Sequence, residues 1–195
     1  MDRKRIGVDF VSGLALPSVV DWPIFPFKGE LSVRTVRPFA DTERPRDGEP
    51  GGDPCPCRGP EDERWPELWT DGTWSVRPLG FDGRPAPFPA YMLMTVRHID
   101  IEDFDDELAA DFGRISLRLE RAIRAIGSIG RVHINRWGDG GSHFHVWFLG
   151  RPAGAWQLSG MMLPLWGFTL PSLDEVTRRA NDQIVASALA ASTPT

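Results

Sequence analysis

The stretch GRVHINRWGDGGSHFHVWFLGRP, residues 130–152, decides how the chain is read. It carries three of the four histidines, His133, His143 and His145, and a Gly/Asp-rich segment lies between two apolar-alternating runs. Side chains alternate between the two faces of a strand, so His143, His145 and Trp147 share one side while Phe144, Val146 and Phe148 share the other. The aromatic and β-branched side suits a core, which leaves the imidazole side for a ligand. The spacing predicts a β-hairpin whose turn, residues 138–141, is made by glycine and Asp because both tolerate the positive φ of tight turns. A five-residue loop, 138–142, would pair Asn135 with His145 and set His133 near Trp147.

Outward from the hairpin, residues 74–79 and 90–97 read as strands joined by a Gly/Pro turn at 81–88. A helix follows, with Leu108, Phe112, Ile115, Leu119, Ile123 and Ile126 at helical spacing, acids in its first turn, arginines toward its end and Gly127 as its stop. The acidic run 100–107 is most simply a solvated helix start. Beyond the hairpin, 157–170 is a Trp/Met/Leu-rich packed loop, with Trp156 and Trp166 in the core or at a dimer interface. A last helix opens at Pro171-Ser172, with Ser172 and Glu175 as a capping box. Residues 31–37 alternate as a further candidate strand, within an irregular aromatic-rich arm. Residues 39–60, rich in Pro, Gly, Asp and Arg, form a loop or linker that holds both cysteines. The order implies an α+β domain: an antiparallel sheet with a long packed helix and a C-terminal helix. Residues 1–50 are an N-terminal arm or linker and 51–195 the domain.

The formal net charge of −5, from 22 basic and 27 acidic residues, supplies no bulk cationic field for nucleic acid. Hydrophobic residues make up 41% of the chain, enough for a core. Without a long apolar run or a charged-then-apolar leader, no membrane span or secretion signal is expected, and a cytoplasmic location is the default. A structural disulfide between Cys55 and Cys57 is disfavoured there, and one intervening residue closes too small a ring. Zinc is the more economical reading if two further ligands exist.

His143-Phe-His-Val-Trp-Phe-Leu-Gly-Arg-Pro152 resembles the signature strand of the histidine triad (HIT) superfamily, with Trp147 at the third histidine position. The resemblance spans roughly residues 53–155. It implies a HIT-like fold and a nucleotidyl hydrolase or nucleotidyltransferase in which His145 attacks the α-phosphorus of a nucleotide conjugate. It also implies a structural zinc held by Cys55, Cys57, His98 and His143, although the usual cysteine pair is spaced by two residues rather than by Pro56 alone. Asn135 matches the asparagine that sets ribose and phosphate. Phosphate donors would be the amides of Gly140 and Gly141, the Ser142 hydroxyl, Arg136, Arg151 and the Trp147 indole. A homodimer is plausible by the same likeness. The rival function is a non-catalytic, zinc-stabilised nucleotide- or partner-binding module; a catalytic metal with an open position is a third.

Overall fold

The computed structural model describes residues 14–34, 40, 42–55, 57 and 66–191. It divides into two compact units, Met1–Arg44 and Pro45–Thr195. In the first, the described segment holds a single 3-10 turn, Ser18–Asp21, and an edge-to-face contact of Phe25 with Phe27 at 5.7 Å. Residues 31–34 of the expected strand are not in one, and 35–37 lie outside the described residues.

The second unit is α+β, as the pattern predicts. Strands β1 (Trp69–Thr70), β2 (Trp74–Pro78), β5 (Ala90–Thr95), β6 (Ile129–Asn135) and β7 (His145–Pro152) form an antiparallel sheet in the order β1-β2-β5-β7-β6. The segment expected as a plain turn folds into a separate small hairpin, β3 (Gly80–Phe81) with β4 (Arg84–Pro85).

Helix α1 (Asp106–Arg124) starts where the Asp105 side chain accepts from the Leu108 amide at 2.8 Å. It stops at Gly127, whose φ of +87° a residue with a Cβ rarely adopts. Its apolar stripe buries Ile115, Leu119 and Ile123 against Trp74, Leu93, Phe144, Val146 and Phe148 of the sheet side and Val185 and Leu189 of α3 (Glu175–Ala191). A smaller cluster of Phe81, Phe88, Leu149 and Leu163 covers part of the opposite sheet face, with Trp147 packed on it.

Three expectations are corrected. The segment 157–170 is not a loop throughout: a 3-10 turn, Gly160–Met162, leads into α2 (Leu163–Thr169). Pro164 sits in the first turn, where a missing N–H costs nothing. Of the two places expected for Trp156, the core is the one ruled out, because the side chain is exposed. Helix α3 is capped by Asp174, which accepts from the Thr177 amide at 2.9 Å, rather than by Ser172. The helix begins at Glu175, directly after Asp174, while the Leu173 amide donates to the Ala86 carbonyl at 3.1 Å and so ties the preceding segment to the β4–β5 connection. Among the described residues no helix is long and apolar enough to cross a membrane.

Candidate functional site

The site grows from Phe144. Its ring lies 4.6 Å from Phe104, 5.2 Å from Phe112 and 6.0 Å from Trp74, centroid to centroid, so it anchors the start of β7 in the core. Its neighbours His143 and His145 must then project elsewhere.

The hairpin is not tight. Residues 136–144 separate β6 from β7, and none of Gly138, Gly140 and Gly141 takes a positive φ. Asn135 therefore pairs with Trp147, and His133 with Leu149, a shift of two residues from the expected register, which keeps the same face. Bonds to other segments draw the loop out. Phe144 donates its N–H to the Ile99 carbonyl at 2.7 Å, and Asp47 and Gly141 form a parallel bridge. Asp47 donates to the Gly140 carbonyl at 2.9 Å, and its own carbonyl accepts from the Ser142 amide at 2.9 Å and the Ser142 hydroxyl at 3.0 Å. The Gly/Pro-rich segment before the cysteines is thus part of the site's wall.

That segment brings the thiols to the histidines. Cys55, Cys57, His98 and His143 each offer one ligand atom, and all four atoms lie within 4.8 Å of one another. Cys55 Sγ is 3.7 Å from His143 Nδ1, and Cys57 Sγ is 3.3 Å from His98 Nδ1. Around a tetrahedral zinc with ordinary bond lengths a thiolate and an imidazole nitrogen sit about 3.5 Å apart, so the donor set fits. The outer contact suits a ligand as well. His143 Nε2 lies 2.7 Å from the Thr95 carbonyl, which can only accept; Nε2 therefore carries the proton and Nδ1 keeps its lone pair for the metal. His143 is only 4% exposed, and this burial, together with the neighbouring charge positions of His98 and His145, pushes its imidazole below the usual range despite the Thr95 bond. The ring stays neutral, as a ligand must.

His145 is half-buried at the start of β7, and its Nδ1 lies 2.8 Å from the His143 carbonyl. The same logic places the proton on Nδ1 and the lone pair on Nε2. A side chain at Gly141 would meet His145 Cε1 at 3.9 Å, so the glycine backbone lies beside the ring. Asn135 shares that face, and its Nδ2 is buried without a hydrogen-bond partner. Trp147 is held edge-on by Trp137 at 4.9 Å and Phe81 at 5.9 Å.

Other expected residues are placed differently. Arg151 lies toward the far end of β7, roughly 20 Å along the strand from His145 at ordinary strand rise. There its charge and, more strongly, burial push the His133 imidazole down. Arg136 is bound to Asp100, with its guanidinium 5.6 Å from the Phe144 ring.

Asp100 was not legible as more than a helix-start acid, yet it is 7% exposed and accepts from Arg46 and Arg136 at 2.6 Å each. Burial opposes its ionisation, but the Ile101 amide and the two guanidinium groups outweigh it and hold the carboxyl below its usual range. Its partners lie 54 and 36 positions away, a separation no local spacing rule can reach.

No protein-family model and no curated protein matches the sequence. Solved structures do match. A histidine triad protein from Sinorhizobium meliloti superposes with a TM-score of 0.52 at 18% identity, covering 66% of this chain and 95% of that one. One from Marinobacter aquaeolei gives 0.51 at 16% identity over 66% and 91%. One from Bradyrhizobium japonicum gives 0.50 at 21% identity over 66% and 90%. With the sheet order, the long packed helix and these superpositions in agreement, the chain has a histidine triad (HIT)-like fold.

Proposed function

We propose that the protein is a nucleotidyl hydrolase or nucleotidyltransferase that acts on the α-phosphate of a nucleotide conjugate through His145. The observation that carries this reading is the 2.8 Å contact of His145 Nδ1 with the His143 carbonyl, which leaves Nε2 as a lone-pair nitrogen beside the glycine loop. In the first step Nε2 attacks phosphorus, the P–N bond forms, and the bond to the leaving group breaks with its electron pair. The leaving group takes its proton from water. A water or an acceptor hydroxyl then attacks phosphorus, releases its proton to solvent, and returns the lone pair to Nε2. The amides of Gly140 and Gly141 are candidate donors to phosphoryl oxygens, whereas the Ser142 hydroxyl is already committed to the Asp47 carbonyl at 3.0 Å, and Asn135 Nδ2 is an uncommitted buried donor on the same face. Arg151 would reach only a distant part of a substrate.

Cys55, Cys57, His98 and His143 would hold zinc. When bound, such an ion supplies structural cross-linking rather than a reacting position, because four protein ligands fill a tetrahedral site.

Trp147 favours a second reading, a zinc-stabilised nucleotide- or partner-binding module without turnover. An indole N–H donates but neither accepts nor relays a proton. Release of nucleoside monophosphate from phosphoramidates, dinucleoside polyphosphates and nucleotide sugars, measured for zinc-loaded wild type and His145→Ala, separates the two. Turnover lost in the variant supports the enzyme; binding without turnover in the wild type supports the module.

A further inference from the structure

Two loops outside the five-stranded sheet meet near His145, joined to each other by the single Asp47–Gly141 bridge. One, residues 45–55, brings the Cys55 thiol; the other, 136–144, brings Gly140, Gly141 and Ser142. Asp100 stands between them. One carboxylate oxygen takes Arg46 of the first loop and the other takes Arg136 of the second, each at 2.6 Å. Arg46 also reaches across to the Gly138 carbonyl at 3.2 Å. Asp100 is itself fixed, since its amide donates to Asp103 Oδ2 at 2.9 Å and its Oδ1 accepts from the Ile101 amide at 2.7 Å. Two charge-assisted bonds on one buried carboxylate are strong and directional, and removing the acceptor leaves two guanidinium groups without it.

We propose that Asp100 is a positioning residue that locks the thiol-bearing loop and the glycine loop into one unit, so that metal capture and the placement of the phosphate donors at His145 are coupled. Its meaning for the reaction rests on the reading of His145 and the glycine loop given above, but the coupling itself does not. The chain of contacts is continuous. Cys55 and Cys57 sit in the metal cluster, Asp47 of the same loop bonds Gly140 and Ser142, and the Asp100 clamp holds both ends of that seam. Linkage is reciprocal: whatever stabilises one loop's position stabilises the other's.

The test is hydrogen exchange on zinc-loaded wild type, Asp100→Asn and, as a control, Asp105→Asn. Asp105 caps α1 through the Leu108 amide, so its loss weakens the fold at the helix start rather than at the clamp. Asp100→Asn should speed exchange at the Ser142 and Phe144 amides about tenfold or more, while the amides of Leu93, Val146 and Phe148 change no more than they do in Asp105→Asn. Its zinc affinity, read by competition with a chromogenic chelator, should fall about tenfold, whereas Asp105→Asn should retain wild-type affinity. Loop exchange equal to wild type, or raised evenly through the sheet, overturns the proposal, as does unchanged zinc affinity. A protein that turns over no nucleotide conjugate would sink the enzymatic reading alone, because neither exchange nor metal affinity requires turnover.

Discussion

Gly48 lies so close to His98 that a Cβ on it would stand 2.7 Å from the imidazole Cε1, and 2.7 Å from the Ser142 hydroxyl as well. Its φ of +93° also belongs to the region that side chains avoid. Glycine is needed here twice over, for conformation and for space.

Gly48→Ala should therefore destabilise the protein by roughly 2–4 kcal/mol, the sum of a backbone and an overpacking contribution. Gly51→Ala is the matched control. Its φ is +88° but its nearest neighbour, Pro45 Cγ, is 3.8 Å from the added carbon, so only the backbone part, about 1 kcal/mol, should appear. Urea denaturation of both variants gives the comparison. Equal losses would mean that the approach to His98 is not a steric limit.

The two cysteines should behave alike toward metal and differently toward packing. Cys55→Ser and Cys57→Ser should each lower zinc affinity by on the order of a hundredfold or more, since a ligand is lost from a four-ligand set. Cys55 is 5% exposed and Cys57 is exposed, so the first substitution should also lower the stability of chelator-treated protein while the second leaves it nearly unchanged. Melting with and without chelator checks both. A wild-type Tm indifferent to chelation would count against the metal centre altogether.

Asp182 predicts a pH dependence remote from the site. Burial raises its carboxyl above the usual range, against the opposing pull of Arg178 and the Tyr91 hydroxyl. The folded state then holds this proton to higher pH than the unfolded chain, whose value is about 3.9. Its contribution is fully present below the unfolded value and is lost as pH rises through the folded one. Asp182→Asn should flatten the fall in stability that begins as pH rises above the unfolded value of about 3.9. Denaturant titrations across the window decide it; parallel profiles for the two proteins would remove Asp182 as the cause.

The parts of the fold that repeat locally were legible in the sequence. The α1 stripe and the alternation of 74–78 and 90–95 follow from periodicity, because every third or fourth, or every second, side chain meets the same core. The cluster of Cys55, Cys57, His98 and His143 was reached through the family likeness, and its four donor atoms do converge. The register of β6 on β7 was not legible. It depends on Asp47 and Ile99 drawing 136–144 away from a hairpin turn, and those partners come from elsewhere in the chain. Asp100 escaped for the same reason. An acid at a helix start looks the same whether it faces water or two arginines. Helix α2 escaped because a short segment apolar on every side has no period to read.

The cluster also ties together parts of the chain that lie far apart in sequence. Cys55 and His143 are 88 positions apart, and His143 is fixed through Phe144, which is seated only when α1 and the sheet have closed around it. Bringing such distant positions together costs loop-closure entropy. An ion held by all four donors would clasp together segments that only the closed fold brings side by side, so its affinity would report on the integrity of α1 and the sheet.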